Sequence, residues 1–243
     1  MAHPGTLTTS VSGAGLEEPL DGDGENVVRT VVLVLHGGSS VGTRPTSPRQ
    51  LAVLRMIPVA AAIRGALHDT SAEVWRHRFA VRGWNGPAAS PAADLRRVLD
   101  DLAGVPRPPA VVLIGHSMGG RAALRVAAHP LVTAVAGLAP WVPPDEPAVP
   151  LPGRRILLVH AAADRVTSPA ATWAYARQAA SAAAVTAIEL RASDHAMVRR
   201  ARLWHRLAGE FARCTLARPA GDARLRRILD QAGAAGDGRP FAL

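Results

Sequence analysis

The chain has no lysine. All 28 of its basic side chains are arginines, set against 19 acidic ones for a formal net charge of +9. These arginines are scattered through a chain rich in Ala, Gly and Pro. A nucleic-acid surface gathers its basic side chains in one place, with aromatic residues between them. The densest group here, Arg199, Arg200, Arg202 and Arg206, falls on an expected helix and reads as a solvated face. No nucleic-acid partner is expected. Cysteine is nearly absent: Cys214 stands alone, so no internal disulfide forms and a reducing, cytoplasmic setting is expected. Long apolar runs are missing too, and none approaches the roughly 18–20 residues that a membrane span needs. Residues 1–26 carry acids where a secretion signal has a basic start and an apolar centre, so neither membrane nor export is expected. The histidines are dispersed, with no HExxH and no paired CxxC. No metal site and no cofactor are expected.

What is present is a globular composition, 48% hydrophobic over 243 residues, enough for one α/β domain or two small ones. Residues 1–26 read as a flexible lead-in. Residues 27–35 form a near-continuous β-branched run, as in a strand buried on both faces. Residues 48–67 read as a helix that Pro58 should kink or break. The alternation in 73–81 predicts a strand. Residues 90–102 predict a helix with Ser90 as its cap and Pro91 in its first turn. Further strands are expected over 111–114, 132–138, 155–160 and 186–190, and helices over about 118–128, 168–182 and 194–213. The proline-rich stretch 140–152 reads as a loop, and residues 214–243 as a tail with a short helix over 222–231. Strands alternating with helices predict a mostly parallel sheet of about six strands, with helices on both faces. In such sheets chemistry collects at the carboxyl ends of the strands.

One strand end stands out. In LIGHSMGG, residues 113–120, an apolar run breaks into Gly115-x-Ser117-x-Gly119 and a helix follows. This is the pattern of a nucleophile elbow, in which a sharp strained turn lifts a serine hydroxyl clear of the sheet. A serine hydroxyl needs a base, and the expected order is Ser, then Asp or Glu, then His. Of the acids that follow, Asp164 alone lies in the loop just after a strong strand (LLVHAAADRVTSP). Of the histidines, His195 is the one placed to open the last long helix beyond the final strand. His160 falls inside a strand and reads as packed. Each of these residues alone has a plainer reading, a turn, a cap or a core histidine; their joint occurrence in order favours catalysis. An oxyanion hole is expected from the backbone N–H groups of Gly38, in the HGG that ends the first strong strand, and of Met118. His36 is expected to brace that loop. Ser39, Trp84, Asn85 and Trp141 stand at strand ends where they could line a substrate site.

VLHGG, IGHSMGG, HAAADRVTSP and SDHAMVRR, in this order, resemble the α/β-hydrolase superfamily, and especially its small bacterial esterase and lipase-like members. The resemblance spans residues 27–213. It implies the α/β-hydrolase fold, an eight-stranded mostly parallel sheet with a Ser-Asp-His triad, from which this chain is expected to lack the first one or two strands. Many relatives insert a helical lid where this chain has only residues 140–152, so no cap domain is expected. The resemblance implies a serine hydrolase whose partner is a small acyl ester or thioester. Two alternatives stay open: an acyltransferase or biosynthetic thioesterase or cyclase with the same triad, and a non-catalytic binding protein on this scaffold.

Overall fold

Two-residue alternation along the buried strands sets the architecture. We analysed a computed structural model that describes residues 30–147, 151–181, 183–216, 221–234 and 236–243, with Leu16–Glu17 as a short strand. In the strand Thr30–Leu35 (β2; Leu16–Glu17 is β1), Val31, Leu33 and Leu35 point into one apolar core while Val32 and Val34 point into another. The strand Ala110–His116 (β4) divides Val111 and Leu113 from Val112 and Ile114 in the same way. Such strands must be covered on both sides. Leu95 and Leu99 of Ser90–Ala103 (α3), Leu124 of Met118–Arg125 (α4) and Tyr175 of Pro169–Ala179 (α5) cover one face. Ile63 of Met56–Ala66 (α2), Trp204 and Leu207 of Ala201–Thr215 (α6) and Leu229 of Ala223–Ala234 (α7) cover the other.

The sheet is completed by Ala72–His77 (β3), Val132–Leu138 (β5), Arg155–Ala161 (β6), Ala184–Leu190 (β7) and Phe241–Ala242 (β8). Its order is β1-β3-β2-β4-β5-β6-β7-β8, with β2 to β8 parallel and β1 antiparallel to β3. All six expected strands are present. The sheet gains a two-residue strand at each edge: β1, inside the expected lead-in, and β8, inside the expected tail. Such short strands leave no room for a periodic pattern to show. The rest of the lead-in lies outside the described residues. β3 and β4 lie on opposite sides of β2, so the strand order reverses there. The carboxyl ends of β2 and β4 form the crevice that suits ligands in open α/β sheets.

The helical expectations shift in three places. Leu51–Leu54 (α1) and α2 are separated at Arg55, three residues before Pro58. Proline has no N–H for the Leu54 carbonyl, and it sits well in the first turn of the second helix. Ser90 does not cap α3 through its side chain; it accepts instead from Asn85 Nδ2 at 3.2 Å. The last long helix begins at Ala201, so His195 lies in a loop, not on a helix. Between β5 and β6 no helix forms among the described residues, and no cap domain is evident. Among the described residues no helix is long and apolar enough to cross a membrane.

Candidate active site

At the end of β4 the backbone of Ser117 adopts φ 53° and ψ −116°, a conformation that costs a non-glycine residue of order 1–3 kcal/mol. Its surroundings hold it there. The Ser117 N–H donates to the Leu138 carbonyl at 3.0 Å, and the Ser117 carbonyl accepts from the N–H groups of Arg121 and Trp141, both at 3.1 Å. Strand and helix approach too closely for side chains at the flanking glycines. A Cβ on Gly119 would lie 2.5 Å from the His36 carbonyl oxygen, and one on Gly115 would overlap the Gly119 backbone.

The structure brings Ser117, His195 and Asp164 into one chain of hydrogen bonds. Ser117 Oγ lies 3.1 Å from His195 Nε2, and His195 Nδ1 lies 2.8 Å from Asp164 Oδ2. With Nδ1–H donating to the carboxylate, Nε2 is left to accept the serine proton. The Asp164 side chain is fully buried. Its Oδ1 accepts from the N–H groups of Val166 (2.8 Å) and Thr167 (3.0 Å). Burial alone would raise this carboxyl group's pKa. Hydrogen bonds from His160, His195, Thr167 and Val166 outweigh it and hold the group well below the usual carboxylate range.

Three contributors carry no sequence signal of their own. His160, buried in β6, reaches Asp164 Oδ2 through Nε2 at 3.1 Å, while its Nδ1 lies 2.9 Å from Thr172 Oγ1. Thr167 Oγ1 donates to Asp164 Oδ2 at 3.1 Å and sits 3.1 Å from His195 Nδ1. His116, beside the elbow serine, donates from Nε2 to the backbone carbonyl of His195 at 2.8 Å. The His195 loop is further pinned by Trp204 Nε1 donating to Ser193 Oγ (2.8 Å) and by Asp194, which accepts from the N–H groups of Val198 and Arg199. Asp194 thus closes a turn inside the loop and does not cap α6.

Past β2 the HGG loop faces the elbow. His36 braces it: Nδ1 donates to the Gly37 carbonyl at 2.6 Å and Nε2 accepts from the Phe79 N–H at 3.1 Å. Burial lowers the pKa of this ring to about 4, so it is neutral at pH 7. A Cβ on Gly37 would stand 3.3 Å from Ser117 Cβ, and one on Gly38 would overlap the Arg82 carbonyl and the Met118 side chain. Among the described residues, neither the Gly38 nor the Met118 N–H has a hydrogen-bond acceptor. Both amides therefore remain available to a ligand oxygen.

An open groove of about 500 Å³ lies over Ser117 and His195, and Ser39, Leu51, Arg55, Arg82 and Val166 contribute to its walls. Of the expected substrate-lining residues only Ser39 is among them. Trp84, Asn85 and Trp141 are engaged elsewhere. Trp84 is buried, with the Arg121 guanidinium 3.9 Å from its ring centroid and 4.5 Å from that of Trp141. Arg121 and Arg125 pair with buried Glu146, which ties the loop after β5 to α4. The Asn85 side chain bonds the Gly42 N–H (2.8 Å) and the Gly83 carbonyl (3.1 Å). Cation–π packing between residues far apart in sequence leaves no local pattern to read. Among the described residues, no group of three or more His, Cys, Asp or Glu side chains is arranged to hold a metal ion.

No curated protein matches the chain. Solved structures with a similar fold include Est1E from Butyrivibrio proteoclasticus with ferulic acid bound, at 14% identity over 84% of this chain and 95% of that one, TM-score 0.60. XC6422 from Xanthomonas campestris, described as an α/β serine hydrolase without a lid, is 19% identical over 85% and 89%, TM-score 0.55. An α-β serine hydrolase homologue from Coxiella burnetii is 19% identical over 82% and 90%, TM-score 0.56. At these identities the likeness is one of fold. Residues 31–241, from β2 to β8, match the Alpha/beta hydrolase family, and the chain belongs to that family.

Proposed function

We propose that the protein is a serine hydrolase that cleaves a carboxylic ester or thioester through an acyl-enzyme on Ser117. The observation that carries this reading is the placement of His195, with one ring nitrogen 3.1 Å from Ser117 Oγ and the other 2.8 Å from Asp164. His195 Nε2 takes the proton of Ser117 as Oγ attacks the substrate carbonyl. Asp164, kept ionised, fixes the tautomer and stabilises the imidazolium that forms. The carbonyl oxygen gains negative charge in the tetrahedral intermediate, and the N–H groups of Gly38 and Met118 donate hydrogen bonds to this oxyanion. The N-terminal end of α4 adds its dipole to the same position. The intermediate collapses, His195 returns its proton to the leaving alcohol or thiol, and Ser117 is left acylated. Water entering the open groove gives a proton to His195 as its oxygen adds to the acyl carbon; the bond to Ser117 Oγ then breaks, His195 returns the proton to Oγ, and the acid leaves.

The fold neighbours support an ester as substrate. They include a thermophilic esterase, Est2 from Thermogutta terrifontis, bound to butyrate. The lone Cys214 supports a cytoplasmic location. The test is turnover of short acyl esters, long acyl esters and acyl thioesters by the parent and by Ser117→Ala. The variant should lose about 10³-fold or more in kcat on whichever class the parent accepts. Hydrolysis by Ser117→Ala at the parent rate contradicts the reading.

A further inference from the structure

The groove over Ser117 holds positive charge that pairs with no acid among the described residues. Arg55 lies on its wall at the break between α1 and α2, half-buried. Arg82 lies on the wall beneath the HGG loop, also half-buried, with Nε donating to the Pro45 carbonyl at 3.1 Å. Neither guanidinium pairs with a carboxylate among the described residues, and no Asp or Glu lines the groove. The nearest functional carboxylate, Asp164, is fully buried behind His195 and committed to hydrogen bonds. The Arg55 charge reaches the catalytic floor: after burial and the neighbouring His195, it helps to lower the pKa of the His116 ring to about 3. The lining also has apolar side chains, with Leu51 and Val166 more than 70% exposed.

A half-buried cation without a counter-ion in a concave site focuses its field into the groove and raises the local concentration of anions. A guanidinium also matches a carboxylate or phosphate in bidentate geometry. We propose that the groove selects esters or thioesters whose acyl or leaving group bears a carboxylate or phosphate, with Arg55 as the principal anion-recognising residue and Arg82 beside it. The apolar rim takes the hydrocarbon between the anion and the scissile carbonyl. This proposal rests on the reading of Ser117 as nucleophile.

The test compares kcat/KM for matched anionic and neutral esters. Monoethyl adipate against ethyl hexanoate places the charge on the acyl side. 4-Acetoxybenzoate and 4-acetoxyphenyl phosphate against phenyl acetate place it on the leaving side, as carboxylate and as phosphate. The parent should favour the anionic member about tenfold or more in at least one arm. That ratio should fall about tenfold in Arg55→Gln, recover only in part in Arg55→Lys, which keeps the charge but not the bidentate geometry, and shrink as salt is raised. Circular dichroism melting of both variants establishes that they fold. A parent ratio at or below one in every arm overturns the proposal, as does a ratio unchanged in folded Arg55→Gln. The underlying reading is tested separately on phenyl acetate: hydrolysis that survives in Ser117→Ala breaks that reading, whatever the ratios show.

Discussion

His116 donates a hydrogen bond from Nε2 to the backbone carbonyl of His195 at 2.8 Å. The residue before the elbow serine therefore holds the loop that carries His195. Its buried Nδ1 has no hydrogen-bond partner among the described residues, so the ring serves as a single-bond tether. Replacing it with Phe keeps the ring and removes the tether. His116→Phe should lower kcat about tenfold, because small misplacements of a base are costly, while the melting temperature stays within about 5 °C. Steady-state kinetics and thermal melting check this. Unchanged kcat in the folded variant shows that the tether does not position His195.

Ser117 itself stores strain. Its φ of 53° with ψ −116° suits glycine. Ser117→Gly should abolish turnover and yet raise stability by about 1 kcal/mol, the relief of strain less the added flexibility of the unfolded chain. Urea unfolding of the two proteins measures the difference. A variant less stable than the parent shows that the elbow is not strained.

Two buried histidines predict how stability responds to acid. In the fold, burial lowers the pKa of His36 to about 4 and that of His116 to about 3, whereas in the unfolded chain both titrate near 6.5. Below pH 6.5 the unfolded chain binds more protons than the folded one, so stability falls as the pH drops from 6.5 towards 4. The two together should remove of order 3 kcal/mol between pH 7 and pH 5. The depressed pKa of Asp164 acts in the same sense but lower: its contribution is present above about pH 4 and is lost on further acidification. Denaturant midpoints at pH 5, 6 and 7 test this, and a flat profile contradicts it.

The sequence made the strand ends legible because buried parallel strands are written as short apolar runs that break into loop residues. Ser117, Asp164 and His195 could be picked by position because each follows such a run. The context of His195 is less legible: the sequence places it at the start of the last long helix, but Asp194 closes a turn within a loop and α6 begins six residues after His195. Thr167 and His160 were missed because their contribution is a contact with Asp164 across a turn, and neither residue type announces that. Trp84 and Trp141 looked like pocket walls, since aromatic residues at strand ends often are. Only tertiary packing reveals Arg121 between them. Arg55 is one of 28 arginines in the sequence, and only the fold sets it on the wall of the groove over Ser117.

The central claim is that Ser117 is a nucleophile activated through His195 and Asp164. Its most direct measurement is the rate of covalent labelling by a fluorophosphonate, with the modified residue mapped by peptide mass spectrometry. The account predicts one label, on Ser117, with the rate reduced about 10²-fold or more in folded His195→Ala and Asp164→Asn. No label on Ser117 in the folded parent, or a rate indifferent to both substitutions, contradicts the account.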